Sequence, residues 1–444
     1  MSQVDDAFVL PPRRPLWRRL GTMPLFSHYN RLVALVLLAN VGALVYGVNV
    51  GQWWSASGIA LETLSQLVLA NLSMAILIRQ QYVINLLFWL ATRAPTSWPL
   101  AIRRSLAKVY HFGGLHSGGA MAAIAWFVAL LGSMIWQRTQ GVGGVSLTLL
   151  TISAGLLGLL LLMAIMALPG IRSRFHNAFE RTHRFAGWAA LLLFWGMTLV
   201  FARDRNPSAD LTQVLLTSFS FWMLPILTFS IALPWLRLRR VPVTLVKPSS
   251  HAVIARFNHL TPFAGSSTAI SRHPLWEWHS FANIPAPDEQ GFRLIISRAG
   301  DWTGELIEQP PSHVWVKGIT TAGVAHIETL FKSVVYVATG SGIGPVLPHL
   351  LAGQVPIHLI WSTRSPRETY GEALVEEILQ AQPDAHIWDT DRLGKPDLVA
   401  LAYAAVRAHG AEAVICISNQ KLTERVVEEM ESRGIPAYGA IWDS

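Results

Sequence analysis

Long apolar runs dominate the first half of the chain, whereas short alternating and β-branched runs dominate the second half. An apolar run of about 20 residues is long enough to cross the ~30 Å hydrocarbon core of a bilayer. Six runs of about this length predict membrane-spanning helices at residues 32–50, 59–78, 113–136, 147–168, 185–201 and 214–236. The shorter run 82–91 is typical of an interfacial or re-entrant segment.

After residue 240 the pattern changes to short strands broken by proline and glycine, at 243–246, 252–257 and 292–297, which predicts a small antiparallel β-barrel. From residue 332, strands at 334–338, 357–361, 386–388 and 413–417 alternate with helical stretches at 368–381, 397–409 and 422–432. This alternation predicts a parallel, doubly wound α/β sheet. We therefore expect an N-terminal segment 1–30, a six-helix transmembrane domain 31–238, a barrel domain 239–331 and an α/β domain 332–444.

Composition and charge fit this division. The chain is 52% hydrophobic and only 14% charged, which is typical of a membrane protein with a soluble tail. The loops on one side carry most of the arginines, and the opposite loops carry only Arg138, Arg203 and Arg205. By the positive-inside rule, we expect both termini and the soluble part to face the cytoplasm of a multi-pass protein in an inner or plasma membrane. Anionic membrane lipids account for the net charge of +8, and nucleic-acid binding is not expected.

A glycine-rich loop joins the first strand of the α/β domain to the next helix. Glycines let the backbone approach a pyrophosphate, and the helix N-terminus supplies free N–H donors and the positive end of the helix dipole. The loop predicts a nucleotide site, although glycines after a strand can also form an ordinary strand–helix turn. Its candidate contact residues are Thr339, Gly340, Ser341, Gly342, Gly344 and Pro345.

Four motifs occur in the order found in the ferric reductase and NADPH oxidase superfamily, and nearly the whole chain resembles that superfamily. Residues 278–282 (W-H-S-F-A) are similar to its flavin strand W-H-P-F-T, and residues 300–303 to its pyrophosphate motif G-D-W-T. Residues 340–345 are similar to its nicotinamide loop G-x-G-I-x-P, and residues 361–364 to its W-x-x-R. The chain is most similar to a TmpA-like branch of integral membrane flavoproteins.

The resemblance implies a ferredoxin-reductase-like module in which the barrel binds FAD and the α/β domain binds NADPH or NADH. A hydride would pass from the nicotinamide to FAD, and electrons would continue to an acceptor in or at the membrane domain. Ala282 replaces the family's threonine and cannot donate its hydrogen bond. The implied FAD contacts are His279, Ser280, Phe281, Trp302 and Thr303.

The resemblance also places Arg364 where it can contact the 2′-phosphate of NADPH. Arg367 is a further candidate contact, and Arg392 and Lys395 add positive charge near the likely adenosine end, while Asp389 and Asp391 oppose it. NADPH is therefore favoured over NADH only slightly. The alternative for Arg364 and Arg367 is an ordinary solvated pair of surface arginines.

Two residues near the C-terminus are implied to act at the flavin. Trp442 is the candidate aromatic gate over the flavin face where the nicotinamide enters, with packing of the last strand as the alternative. Cys416 stands where related chains carry the cysteine of C-G-P near the nicotinamide. Ile417 and Ser418 replace that Gly-Pro, so the alternative is a buried strand residue.

The resemblance implies less haem than in an ordinary ferric reductase. In the superfamily, the third and fifth helices each carry two histidines about 13 or 14 residues apart, which together ligate two haems. Only the first member of each pair is present, His111 and His183, so we expect one b-type haem or none. With His116 and His176, these histidines could instead line a metal or substrate pocket, or lie at the lipid headgroups.

The favoured function is a membrane-bound NAD(P)H-dependent flavin oxidoreductase whose acceptor is a single haem or a small or lipid-soluble molecule. One alternative is a degenerate membrane sensor that binds nucleotide without turnover, and another is a scaffold or transporter with a regulatory tail. A transporter should carry a charged path near the middle of the bilayer. The mid-span polar residues are instead chiefly Asn40, Glu62, Gln66 and Asn71.

Overall fold

A computed structural model of the protein describes residues 10–55, 58–142, 144–286 and 289–440. A helical part comes first, two antiparallel sheets follow, and a parallel α/β sheet comes last. A short hairpin of β1 (Trp54–Ser55) and β2 (Gly58–Ile59) interrupts the helical part. Its helices are α1 (Leu16–Arg19), α2 (His28–Asn49), α3 (Leu61–Leu77), α4 (Gln81–Thr92), α5 (Leu100–Leu106), α6 (Gly113–Thr139), α7 (Leu147–Met166), α8 (Pro169–Arg174), α9 (His176–Arg205), α10 (Leu211–Thr217) and α11 (Phe219–Leu236).

Among the described residues, five helices are long and apolar enough to cross a membrane: α2, α6 with the turn before it, α7, α9 and α11. Helices α3 and α4 make a sixth span only if they are counted together as one, although the chain bends by 71° between them. At the bend, the side chain of Gln80 caps α4 by accepting hydrogen bonds from the N–H groups of Tyr82 and Val83. The predicted interfacial segment 82–91 lies within α4.

The predicted span 214–236 begins too early. Ser218 separates α10 from α11, and its hydroxyl accepts a hydrogen bond from the N–H of Phe221 at 3.3 Å. A serine that bonds the third N–H of the next turn is an N-cap, which starts a new helix. The long apolar helix is therefore Phe219–Leu236 alone.

The middle part forms two antiparallel sheets that share one core. The first sheet has the order β10-β6-β9-β3 with β7 paired to β6, and the second has the order β4-β5-β8. The predicted barrel is not closed among the described residues, because a single bridge between Ile284 and Arg293, rather than a ladder, connects β8 with the chain after β7. The elements are β3 (Leu238–Pro242), β4 (Thr244–Val246), β5 (Ala252–Phe257), β6 (Ser266–Ser271), β7 (His279–Ala282), β8 (Phe292–Ser297), α12 (Asp301–Glu308), β9 (His313–Lys317) and β10 (Thr321–Ala322).

The last part is a five-stranded parallel sheet of order β13-β12-β11-β14-β15, which confirms the predicted doubly wound pattern. Its central strand is buried along most of its length, as expected when helices cover both faces. The elements are β11 (Val334–Thr339), α13 (Ile343–Ala352), β12 (Ile357–Thr363), α14 (Pro366–Tyr370), α15 (Glu372–Ala381), β13 (His386–Asp389), α16 (Thr390–Leu393), α17 (Leu398–His409), β14 (Ala413–Ile417), α18 (Gln420–Ser432) and β15 (Ala437–Gly439).

Helix α5 joins the helical part to the parallel sheet. The guanidinium of Arg103 donates hydrogen bonds to the carboxylate of Glu412 at 2.6 Å and to the carbonyl of Leu330 at 2.8 Å. Arg103 is only 3% exposed, and the next residue, Arg104, forms an ion pair with Glu431. These contacts fix the α/β sheet against the loop between α4 and α6.

Helix α4 contacts the edge of the first antiparallel sheet. The amide of Asn85 donates a hydrogen bond to the carbonyl of Thr320 at 2.9 Å and accepts one from the N–H of Ala322 at 3.0 Å. Gln81 donates a further hydrogen bond to the carbonyl of Ile319 at 3.2 Å. Strand β10 is therefore held on its open side by side chains of a helix.

Candidate functional site

The candidate nucleotide site lies where the order of the parallel strands reverses, between β11 and β14. In open α/β sheets, ligands bind at this switch point, beyond the carboxyl ends of the strands. The side chain of Thr339 at the end of β11 and that of Ser418 after β14 are joined by a hydrogen bond with 2.6 Å between their oxygens. The hydroxyls therefore line the crevice that the topology predicts.

The glycine loop leaves β11 at this crevice. Gly340 has a φ of +52°, which glycine adopts without strain, and its carbonyl accepts a hydrogen bond from the indole of Trp361 at 2.9 Å. A Cβ at Gly342 would lie 2.2 Å from the carbonyl oxygen of Ile417, so only glycine fits there. The structure thus explains two of the loop glycines by backbone geometry.

The start of α13 completes the loop. Ser341 lies in the short 3-10 turn before this helix, and Pro345 is its third residue, where a missing N–H costs no helical hydrogen bond. A Cβ at Gly344 would be an ordinary 3.7 Å from the Cβ of Ile295 in β8. The helix N-terminus therefore lies against the antiparallel sheets.

The three arginines assigned to the nucleotide phosphate differ in their surroundings. Arg364 follows β12 at the carboxyl edge of the sheet; its side chain is 82% exposed and pairs with Asp391 at 3.0 Å. Hydrogen bonds from Arg364 and Ser365 lower the pKa of Asp391. Arg392 is exposed in α16, directly after β13. Arg364 and Arg392 thus lie at the end of the sheet where the adenosine is expected, and Asp391 neutralises part of their charge.

Arg367 is engaged elsewhere. Its guanidinium pairs with Glu372 and, at 2.6 Å, with Glu376, and all three side chains are well exposed. This arrangement is the solvated surface pairing that the sequence offered as the alternative.

The two candidates near the C-terminus have different outcomes. Cys416 is fully buried in β14 within the core under α17 and α18, and burial raises the pKa of its thiol to about 12. The thiol is therefore protonated and in a packing environment, which was the alternative for this residue. Trp442 lies outside the described residues, and its role as a flavin gate stays a prediction.

The candidate flavin residues, although distant in sequence, come together beside β7. The ring of His279 stacks on the indole of Trp302 with 4.0 Å between centroids and 26° between planes, and the ring of Phe281 lies nearly parallel to the same indole with 6.2 Å between centroids. The indole N–H of Trp302 donates to Glu277 at 2.8 Å. Burial lowers the pKa of His279, so the imidazole is neutral at pH 7.

Two further flavin candidates border this stack. The hydroxyl of Thr303 accepts hydrogen bonds from the N–H groups of Ala299 and Gly300 and donates to the carbonyl of Gly300, so it caps α12. Ser280 is exposed. These residues fit a flavin only in part, because His279 and Trp302 cover each other's faces and Thr303 is already used. Ser280 and the outer ring faces remain for contacts.

The predicted metal ligands do not face each other as a simple pair. His183 of α9 lies beside His116 of α6 with 6.2 Å between ring centroids, while His111 lies beside His28 at 5.7 Å. The Nδ1 atoms of His111 and His183 are buried without a hydrogen-bond partner among the described residues. His176 is exposed and pairs with Glu180 at 3.5 Å.

The sequence analysis missed His28 and Lys317. His28 opens α2 directly after the capping residue Ser27, outside every motif. The ammonium of Lys317 lies 4.8 Å from the ring centre of Trp278, next to the flavin strand. Burial, followed by repulsion from Arg184, lowers the pKa of Lys317 to about 8. The sequence could have indicated Lys317, because this lysine directly follows three apolar strand residues.

The comparisons with known proteins point to reductases. A family model described as adenylate-forming reductase 03009, C-terminal domain, matches residues 324–444, which span the parallel sheet. Adenylate-forming reductase 03009 of Coprinopsis cinerea is 44% identical over 421 residues, which are 95% of this chain and 40% of that protein. Adenylate-forming reductase 06235 of the same fungus is 43% identical over 422 residues, with the same coverage of each chain. The chain spans about two fifths of the length of these curated relatives.

Solved structures are similar only over part of the chain. A ferredoxin NADP+ reductase from Neisseria gonorrhoeae with bound FAD and NADP covers 46% of this chain and 98% of its own, at 14% identity and a TM-score of 0.37. Full-length CYP116B46 from Tepidiphilus thermophilus covers 46% of this chain and 28% of its own, at 17% identity and a TM-score of 0.38. The similarity to proteins named reductases therefore rests on the sequence comparisons.

Proposed function

We propose that the chain is a membrane-bound flavin oxidoreductase of the ferric reductase type, which takes a hydride from NAD(P)H to FAD. The observation that carries this proposal is the glycine loop at the strand switch point, where the start of α13 meets β8 of the antiparallel sheets. The reductase names of the relatives support the same class of chemistry.

The residues of the α/β sheet would bind and orient the nicotinamide nucleotide. The close approach at Gly342 brings the start of α13 against the end of β14, so the positive end of the helix dipole would lie beside the crevice. The hydroxyls of Thr339 and Ser418 offer further hydrogen bonds beside them. No acid or base is needed for the hydride step, so the protein's part is to position the rings and exclude water.

The residues beside β7 would hold FAD, which supplies a hydride acceptor that can release electrons singly. The exposed Ser280 and the half-buried Phe281 are available for the ring system. The neutral imidazole of His279 and the ammonium of Lys317 set the charge around this pocket. The ring system would lie between the antiparallel sheets and the helical part.

The electrons of the flavin are proposed to reach their acceptor in or at the helical part. This part would lie in a membrane whose cytoplasmic side faces the soluble domains. The support is the five or six apolar helices and the arginine-rich loops. A single haem would use the buried imidazoles of His111, His116 or His183. Without haem, a small or lipid-soluble acceptor would meet the flavin at the membrane surface.

A spectrum of the purified chain tests the proposal. Protein purified in detergent should carry non-covalent FAD, and NADPH should bleach the flavin absorption in a stopped-flow experiment. Absence of flavin binding after FAD is added would contradict the proposal. A pyridine haemochrome assay would separate one haem from none, and two haems per chain would contradict the reduced ligand set.

One observation favours a second function, a sensor that binds nucleotide without turnover. The mutual stacking of His279 and Trp302 covers faces that a flavin would use, and Ala282 lacks the usual hydroxyl. Tight binding of NADPH by a flavin-free protein would support this second function.

A further inference from the structure

A cluster of side chains that could hold a metal ion lies at the amino ends of the parallel strands, opposite the end that carries the glycine loop. His358 is the second residue of β12, Asp384 precedes β13, and His409 ends α17. Each offers one ligand atom, and these three atoms lie within 4.8 Å of one another. Three separate elements therefore bring two imidazoles and one carboxylate to one point.

The three side chains are close enough to share one ion, but one ring must turn for all of them to face it. The rings of His358 and His409 stack with 3.8 Å between centroids and 21° between planes, and Nδ1 of His358 lies 3.7 Å from a carboxylate oxygen of Asp384. Nearly parallel rings cannot both point a lone pair at one ion. A rotation of the His409 ring, which lies at the exposed end of its helix, would make them converge.

A neighbouring amide fixes the position of one of the two imidazoles. The amide nitrogen of Gln382 lies 3.3 Å from Nδ1 of His358, while the amide oxygen accepts a hydrogen bond from the N–H of Leu359. The side chain of Gln382 thus holds the ring of His358 in place at the start of β12.

A third imidazole lies close to the cluster. His386 pairs with Ile360 in the parallel register, so its side chain lies on the same sheet face as that of His358, two residues earlier. The Nε2 atom of His386 is buried and has no hydrogen-bond partner among the described residues. An unpartnered nitrogen beside the cluster is a further ligand or a further donor for a bound water.

We propose that His358, Asp384 and His409 bind one divalent transition-metal ion of the Zn²⁺ type. Imidazole and carboxylate ligands suit zinc and its neighbours better than calcium or magnesium. Water fills the remaining coordination positions of the ion. It reaches them beside Asp384, whose side chain is 65% exposed. The bound ion links α17 and the loop before β13 to β12, so it stabilises the α/β sheet at the amino ends of these strands.

Cobalt titration of the full-length protein in detergent, after treatment with a chelator, tests this site. Co²⁺ reports its coordination through visible absorption, and Zn²⁺ should displace it. His409→Ala should weaken this binding by at least ~10-fold, the scale on which even outer partners of a metal act. His313→Ala is the matched control, because His313 is exposed, its ring hydrogen-bonds to Ser312 and it lies in another sheet, and it should bind Co²⁺ like the parent.

The other histidines of the chain can bind Co²⁺ as well, so the difference between variants is decisive. Equal binding by the parent and by His409→Ala, or no binding in the parent, would overturn the proposal. Asp384→Asn provides a second variant at an exposed position should His409→Ala fold poorly. It should also lose affinity, together with the rise in melting temperature that Zn²⁺ gives the parent.

Discussion

The hydroxyl oxygens of Thr339 and Ser418 lie 2.6 Å apart at the point where the strand order of the parallel sheet reverses. Thr339 ends β11 and Ser418 follows β14, so this hydrogen bond ties together the two strand ends that flank the crevice. The glycine loop starts from one of these fixed ends. Its backbone therefore has little freedom before any nucleotide binds, which lowers the entropic cost of binding.

Gly342→Ala should destabilise the α/β domain, because the new Cβ would lie 2.2 Å from the carbonyl oxygen of Ile417. Overpacking of this kind costs about 1–3 kcal/mol. Thermal unfolding measures the loss. Gly344→Ala is the control, since its Cβ would meet only an ordinary contact at 3.7 Å and should leave the melting temperature unchanged. A normal melting temperature for Gly342→Ala would refute the close approach.

Asp391→Asn should lower the KM for NADPH and leave that for NADH nearly unchanged. The substitution removes the carboxylate that pairs with Arg364, so the guanidinium is released for a 2′-phosphate. Arg364→Ala should have the opposite effect on NADPH alone. Steady-state kinetics with both nucleotides checks the pair, and Arg367→Ala serves as the control because Arg367 pairs with Glu372 and Glu376. Equal changes for NADPH and NADH would exclude the phosphate contact.

Arg103→Met should loosen the α/β domain from the helical part. The substitution removes the hydrogen bonds of Arg103 to Glu412 and to the carbonyl of Leu330 and leaves Glu412 only the N–H of Lys332, and breaking a buried pair costs about 3–5 kcal/mol. Limited proteolysis and the melting temperature report the loss. Arg367→Met breaks only an exposed pair and should cost less than about 1 kcal/mol. If both variants behave alike, α5 does not fix the domain.

Stability should rise with pH above pH 8 because of Lys317. Burial, and then Arg184, lowers the pKa of Lys317 from 10.5 to about 8 in the folded protein. Between these values the unfolded chain carries a proton that the folded protein lacks, so the free energy of unfolding increases with pH, by about 3 kcal/mol once pH 10.5 is passed. Below pH 8 the cost of the buried charge is fully present.

Melting temperatures of the parent and of Lys317→Met between pH 7 and pH 10.5 check this. The difference between the two proteins should shrink as the pH rises, since the methionine variant has no charge to bury. Parallel profiles would show that Lys317 keeps an ordinary pKa.

The sequence predicted the parallel sheet well because its strands are buried on both faces and read as continuous apolar runs. The run 413–417 coincides with β14, and the run 334–338 misses only Thr339 of β11. Barrel closure could not be predicted, because it depends on ladders between distant strands, and among the residues that the structure describes only the Ile284 to Arg293 bridge forms there.

The candidate site was predictable where residues lie within one loop and less so where partners come from different helices. The glycine loop has its expected place at the switch point. The histidine contacts differ, because helical spacing relates residues of one helix and does not reveal that His183 lies beside His116 or His111 beside His28. Likewise, the sequence placed Asp391 near the expected adenosine end but did not indicate its direct ion pair with Arg364.

The amide of Asn85 has a consequence for assembly. It satisfies one carbonyl and one N–H on the open side of β10, as a neighbouring strand would. An unpaired edge strand is a template for joining another chain. A fragment that contains the sheets without α4 would expose the open edge of β10 and aggregate. Helix α4 must therefore pack on β10 before self-association through this edge is prevented.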